Sequence, residues 1–350
     1  MFAAVQLEQL PAMNNILNVH RLRPPSPPPL AMSALLLALG CLLAVSFPVQ
    51  AQYESDDFND GNDTGWSRYS PLAPLGAPGV FTLTNGGYRL RTAARSPDPL
   101  TYGAGRAGSI RSEVYTNFYI SVDIVNWDDT LPHAAGILAR VRNPGLGTTT
   151  GYAFTWDRGN PASATAGDVD FSRIAGEAPT GINPSEPDRL HMEPGKSYRF
   201  VFIGRGPNLE GRVYELPDTV TPKVRVTVTD STVDPTYEYG TGGLVIYDNS
   251  TGATNVCDVT FDNYYATDIE PPRIKMTDHG FGTWELSWPR EASPFVLQSS
   301  PVLPGDAQDW TDVAGVQVAD DRFWVLVDSD PLLGGLPKLF HRLVRPATGN

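Results

Sequence analysis

The chain has 350 residues and a formal net charge of −13, from 26 Lys and Arg against 39 Asp and Glu. That balance excludes a nucleic-acid partner, because neutralising phosphates needs a basic surface. Hydrophobic residues are 41% of the chain, enough for a core, but 33 Gly and 32 Pro cut it into short runs, which excludes a helical bundle and favours an all-β chain.

Residues 1–52 read as a signal or targeting segment. Arg21 and Arg23 precede the apolar run Leu35–Phe47, and Val49-Gln50-Ala51 offers small residues for cleavage. The run is too short to favour a membrane span. The mature chain is therefore expected to be secreted, periplasmic or on the cell surface, with no transmembrane span. Ala38-Leu39-Gly40-Cys41 loosely matches a lipid-attachment box, but the residues after Cys41 stay mostly apolar where a lipoprotein turns polar. With Cys41 removed, Cys257 has no disulfide partner and is expected to be a small buried hydrophobe.

Asp56–Trp66, DDFNDGNDTGW, follows. A first strand is expected to end at Phe58, with an Asp-Gly turn after it. The density of Asp and Asn also invites Ca²⁺, which takes several oxygen ligands, but the EF-hand spacing fails by one residue. Val80–Thr84 and Tyr88–Thr92 flank Asn85-Gly86-Gly87, a hairpin signal. Ser109–Thr116 and Phe118–Trp127 read as the next pair, around Asn117. Strand-like runs continue through Gly136–Asn143, Gly151–Arg158, Asp168–Ala175, Arg189–Met192, Ser197–Gly204, Gly211–Leu216 and Lys223–Thr229. Gly240–Asp268 reads as a closing hairpin, two alternating runs around the turn-forming Asp248–Asn255. No segment carries a 3.6-residue period. Roughly a dozen short strands suit an all-β, two-sheet antiparallel jelly-roll sandwich.

Alternation assigns faces. Phe118, Ile120, Val122 and Ile124 share one side of their strand; Tyr119, Ser121, Asp123 and Trp127 share the other. Ile137, Ala139 and Val141 oppose Leu138, Arg140 and Arg142; Tyr152, Phe154 and Trp156 oppose Thr155 and Asp157. One set builds the core. The other gathers Arg111, Glu113, Asp123, Trp127, Arg140, Arg142 and Asp157 as candidate ligand-binding residues. Two readings stay open for them: a solvated face with cross-strand ion pairs, or a polar groove for a sugar chain. Trp127 and Tyr102 are the candidates for stacking on a sugar, since an aromatic ring offers an apolar face with a wet rim.

The stretches DDFNDGNDTGW, GILARVRN with GYAFTWD, PGKSYRFVF, and GTGGLVIYDN with TFDNYYATD together resemble the concanavalin A-like lectin/glucanase superfamily over 53–268. The resemblance implies two curved antiparallel sheets, often with a sugar-binding face. It also implies, for some members, a structural calcium where the first and last strands meet, at Asp57, Asp60 and Asp262 here. The E-x-D-x-x-E run that supplies the catalytic carboxylates in the laminarinase-like branch is absent, which puts that mechanism in doubt.

Glu270-Pro271-Pro272 reads as a stiff linker at 269–272. Residues 273–346 read as a small second β domain, with Trp284, Trp288, Trp310 and Trp324 as its expected core; it resembles a small C-terminal β-sandwich module of exported bacterial proteins. The five histidines are scattered, with no zinc spacing, and His133 is expected in a solvated loop. The leading expectation is an exported, non-catalytic, lectin-like protein that binds a polysaccharide or glycan on an outer sheet face. The alternatives are a glycoside hydrolase with a non-standard carboxylate pair, Glu113 and Asp123 being the positions to test, and a structural surface or adhesion protein contacting a cell-surface or matrix protein.

Overall fold

A computed structural model describes residues 53–84, 86–92, 104–160, 162–163, 166–182, 188–232, 234–248, 256–268, 270–280, 282–289, 295–301, 310–319, 322–328 and 340–344. The targeting segment, Cys41 and Tyr102 lie outside these residues. The strands are β1 (Tyr53–Asp56), β2 (Ser67–Tyr69), β3 (Gly79–Thr84), β4 (Gly87–Thr92), β5 (Arg106–Tyr115), β6 (Phe118–Trp127), β7 (His133–Arg142), β8 (Thr150–Asp157), β9 (Asp168–Ala175), β10 (Ala178–Gly181), β11 (Asp188–Arg189), β12 (Tyr198–Arg205), β13 (Asn208–Glu215), β14 (Val224–Thr229), β15 (Gly240–Asp248) and β16 (Asp258–Thr267). No α-helix occurs among the described residues.

These strands form two antiparallel sheets of eight. The first runs β14-β13-β12-β6-β16-β4-β3, and β1 also pairs with β16. The second runs β10-β9-β8-β7-β15-β5-β2, with β11 on β9. One apolar layer lies between them, with Ile120, Val122, Phe200 and Phe261 from the first sheet and Ile137, Phe154, Trp156 and Ile246 from the second. The all-β, two-sheet sandwich anticipated from the alternation is the fold. Cys257 belongs to this layer and is fully buried, and burial pushes its thiol far up.

Two expected hairpins are not hairpins. β15 pairs with β7 and β5 in the second sheet, while β16 pairs with β6, β4 and β1 in the first. β5 and β6 are likewise split between the sheets. Each of these connections crosses from one sheet to the other. Two strands that each turn an apolar side inward carry the same alternation whether they lie side by side or face each other across the core. The β3–β4 pair is a hairpin as expected and β7 pairs with β8 as well, and Gly86 takes φ +74 in the β3–β4 turn, where a side chain would be strained.

Bulges overturn two face assignments. On β6, Thr260 pairs Asn126 but Phe261 pairs Ile124, so Val125 is an extra residue. The period slips by one, and Trp127 turns inward onto Trp156 and Tyr198, at 5.6 and 6.0 Å between ring centres. On β7 the register shifts between Ala139 and Arg142, and Arg140 takes φ +50. Val141 therefore points outward beside Leu138. Arg140 turns in at the end of the core, its guanidinium 5.3 Å from the Phe118 ring centre. It donates to the carbonyls of Thr116 (2.8 Å), Tyr237 (3.1 Å) and Gly206 (2.8 Å).

His133 is also not in a solvated loop. It opens β7 and is fully buried, its ring 6.1 Å from Trp156, with neither nitrogen hydrogen-bonded. Burial holds it neutral, lowering its pKa to about 4.

The later strands, β17 (Lys275–Asp278), β18 (Thr283–Pro289), β19 (Val296–Ser300), β20 (Thr311–Asp312), β21 (Gln317–Val318), β22 (Arg322–Asp328) and β23 (Phe340–Val344), form sheets β17-β18-β22-β21 and β20-β19-β23. Leu286, Trp288, Phe295, Leu297 and Val325 are their buried core. Of the four tryptophans expected there, Trp288 alone is fully buried. Trp284, Trp310 and Trp324 are half-buried, and Arg342 covers Trp310 at 4.1 Å.

Replacing Arg140 by Met keeps the bulk and leaves three carbonyls without their donor. The expected loss is about 3 kcal/mol of unfolding free energy, read from denaturant midpoints. A loss near zero would show that water takes over these carbonyls.

Candidate functional site

The outer side of the first sheet carries a polar row. Arg199 on β12 sits opposite Asp123 on β6, which sits opposite Asp262 on β16. Arg199 grips Asp123 with both arms, Nε to Oδ1 at 2.7 Å and Nη2 to Oδ2 at 2.8 Å, and Asn263 Nδ2 adds 3.1 Å to Oδ2. Asn263 reaches Asp123 because β16 bulges between Asp262 and Tyr265, with Asn263 at φ +51. The same bulge turns Tyr264 into the core. Partial burial, then the charges of Asp123 and Asp57, raise the Asp262 carboxyl to about 6.

Beside this row, DDFNDGNDTGW folds as a chain of side-chain-capped turns. Asp56 accepts the Phe58 N–H at 2.8 Å, Asp57 that of Asn59 at 3.1 Å, and Asp60 that of Asn62 at 3.0 Å. β1 ends at Asp56 rather than Phe58, which takes φ +53 and packs its ring into the core. Trp66 Nε1 donates to the other Asp56 oxygen at 2.7 Å. Arg111 reaches across from β5, with Nε 3.1 Å from Glu54, Nη1 3.8 Å from Asp56 and its guanidinium 5.1 Å from the Trp66 ring centre.

Some of these groups line an open cleft of about 1000 Å³. Asp57, Asp60, Arg111, Arg199 and Asn263 contribute polar groups, and Tyr53, Tyr119 and Tyr265 contribute rings. Tyr53 is 42% exposed. Tyr119 and Tyr265 meet edge to face at 6.3 Å.

The candidate residues are thus distributed over several places. Arg111 lines the cleft, and Asp123 braces it through Arg199 and Asn263. Glu113, two residues along β5 from Arg111, lies near enough to Glu54 for its charge to raise that carboxyl's pKa, behind the larger effect of burial. Trp127 and Arg140 are inside the sandwich. Arg142 lies against Tyr239, 4.6 Å from its ring centre. Asp157 is on the outer side of the second sheet, accepting the Gly159 N–H at 2.8 Å. Of the three positions implied for calcium, Asp57 and Asp262 feel each other's charge, while Asp57 and Asp60 each commit an oxygen to a turn. Among the described residues no group of three or more Asp, Glu, His or Cys is placed to hold a metal ion. The sequence marks Tyr119 only as an outward residue of its strand and gives no signal that joins Arg199, Asn263, Tyr53 or Tyr265 to it. The alternation of YRFVF places Arg199 outside, but nothing local pairs it with a strand about 75 residues away.

The outer side of the second sheet has a smaller cavity of about 480 Å³. Its floor is made of small and apolar residues, including Leu138, Ala153, Ser172 and Val245. Its polar wall is self-satisfied: Glu177 accepts from Arg106 (Nε 3.0 Å, Nη2 2.8 Å), from the Gly147 N–H and from the Tyr69 hydroxyl. Along the same side, burial and then Asp157 raise Asp170 to about 6.

Asp262 binds its proton more tightly folded, at about 6, than its ordinary value of 3.8. Its ionised form therefore weakens the fold above pH 6, and the penalty is relieved as pH falls toward 4. Asp262→Asn is expected to raise the denaturation midpoint at pH 8 and to change it little at pH 4. An equal effect at both pH values would disconnect the row from this titration.

No family model matches the chain, and no curated protein matches it. Among solved structures, it is similar to the carbohydrate binding module CBM66 from Bacillus subtilis, at 18% identity over 58% of this chain and 93% of that one, with a TM-score of 0.38. It is similar to the lectin UEA-II complexed with galactose, at 12% identity over 62% of this chain and 98% of that one, with a TM-score of 0.41. It is similar also to a prokaryotic β-1,3-1,4-glucanase (lichenase) derived from a mouse hindgut metagenome, at 15% identity over 62% of this chain and 99% of that one, with a TM-score of 0.38.

Proposed function

We propose that the protein is an exported glycan-binding protein and that the cleft on the outer side of the first sheet is its sugar site. One observation carries the reading: tyrosine rings, carboxylates and the Asn263 amide share one open cleft of about 1000 Å³. A sugar ring has an apolar C–H face and a rim of hydroxyls, so it needs both kinds of partner at once. The apolar run Leu35–Phe47 supports the export part of the reading.

The charges narrow the ligand. Arg111 and Arg199 are both committed to carboxylates, while Asp57 and Asp60 also face the cleft. A uronic or sulfated chain would meet carboxylates with no cation to spare. Neutral or amino sugars are the ligands of choice.

The expected result on a glycan panel is binding of neutral or amino-sugar polymers and none of alginate or chondroitin sulfate. Tyr53→Ala, at an exposed ring, is expected to weaken binding about tenfold, the scale of one aromatic contact, without lowering the melting temperature. Tight binding of a polyanion, or no binding by folded protein, would refute the reading.

A second reading is favoured by Asp170, which lies near Asp157 and whose carboxyl burial raises to about 6, toward the range of a general acid. On it, the second sheet's outer side cleaves a glycosidic bond. The check is release of reducing sugar from neutral polysaccharides, abolished in Asp170→Asn. Glu113 and Asp123 do not form such a pair, since they lie on strands of different sheets and Asp123 is locked to Arg199.

A further inference from the structure

We propose that the C-terminal module is the second wall of the sugar site, and that Glu270 holds it there. This rests on the glycan reading of the cleft.

The cleft is not bounded by the sandwich alone. Pro271, Phe295, Leu343 and Val344 line its other side. Phe295 belongs to the module's buried core and Leu343 packs against that core, so this wall is continuous with the module's interior. It is apolar throughout, whereas the sandwich's share of the lining mixes carboxylates, an amide and guanidinium groups with the rings of Tyr53, Tyr119 and Tyr265. A sugar chain lying between them would set its C–H faces on Phe295, Leu343 and Val344 and its hydroxyls toward Asp57, Asp60 and Asn263. An apolar wall added to a mixed polar and aromatic one suits that two-sided shape better than it suits a purely apolar or purely polar ligand.

The wall is anchored on both sides of the two prolines. Glu270 divides its oxygens between Arg205 Nη2 at 2.6 Å and Arg212 Nη1 at 2.7 Å. Arg212 Nε also donates to Glu210 at 2.6 Å, and Glu210 accepts from Arg225 Nε at 2.6 Å. Glu270 thus closes a ladder of alternating charge across β12, β13 and β14. After the prolines, Arg273 donates to the Thr219 carbonyl at 2.8 Å and reaches the Tyr214 hydroxyl at 3.3 Å. Pro271 and Pro272 between these anchors have little freedom left. What the sequence presents as a spacer is a strap tied to the outer side of the first sheet.

The test uses the whole chain and the tightest-bound of cellohexaose, laminarihexaose, xylohexaose and chitosan hexamer. Val344→Asp, which puts a carboxylate on the apolar wall, is expected to raise Kd about tenfold. Glu270→Gln, which leaves the module's own core intact, is expected to raise it at least about threefold. Met276→Asp, on an exposed module position outside the cleft, is expected to leave it unchanged. Hydrogen exchange at β23 and β1 should slow together on binding. Near-UV circular dichroism of each variant separates a lost wall from a misfolded module, and Glu270→Gln keeps the test decisive if Val344→Asp misfolds. Wild-type affinity in folded Val344→Asp and Glu270→Gln, alongside weakened Tyr53→Ala, would overturn the second wall and leave the glycan site standing. No binding of any hexamer by the wild-type chain would sink both.

Discussion

The apolar layer between the two sheets governs nearly everything else in this protein. Its strands must deliver large side chains inward at every second residue, and the core accepts little misfit because interiors are close-packed. Where a strand cannot keep both its pairing and its inward face, the backbone bulges. β6 bulges at Val125 to bring Trp127 in, β7 at Arg140, and β16 at Asn263 to bring Tyr264 in. The third of these exposes Asp262 and Asn263 on successive positions of the outer side. Part of the candidate site is therefore a by-product of core packing, since the residue displaced outward is the one that braces Asp123.

How much of this was legible follows from what alternation can encode. A regular strand states its faces plainly: Phe118 to Ile124 and Tyr152 to Trp156 point where the pattern puts them. A bulge changes parity without changing composition, so Trp127 and Arg140 read as outward residues. Sheet membership is equally hidden. β15 and β16 are separated by a turn-rich segment that suits a hairpin, yet they occupy opposite sheets, because a short link across the edge of a thin sandwich needs the same residues as a tight turn. Tertiary pairings such as Arg199 with Asp123 depend on which strands become neighbours, and no local pattern carries that.

Charge is used in a way the net value of −13 conceals. Arginine works mainly as a structural tie. Arg140 holds three carbonyls, Arg106 closes against Glu177, Arg111 joins β5 to β1, and Arg212 links Glu210 to Glu270. The planar guanidinium suits this, because it presents several donors in fixed directions and stacks on rings at the same time. With the cleft's arginines engaged in this way, carboxylates and tyrosines set the character of its surface. The surplus of acid over base in the chain thus has a local counterpart at the cleft, where Asp57 and Asp60 line the surface and both arginines are paired.

The row Arg199–Asp123–Asp262 makes the final point about stability and site. Two carboxylates directly opposite on neighbouring strands repel, and a residue other than glycine at positive φ costs free energy. A sheet optimised for stability alone would carry neither Asp262 opposite Asp123 nor Asn263 at φ +51. The single cation in the row, Arg199, is held by Asp123, and Asp262 is left with a raised pKa rather than an ion pair of its own. This concession lies beside the large cleft on the same side of the sheet. The second sheet offers the contrast: around its smaller cavity, Glu177, Arg106 and Tyr69 satisfy one another, leaving that wall with little hydrogen-bonding capacity for a sugar.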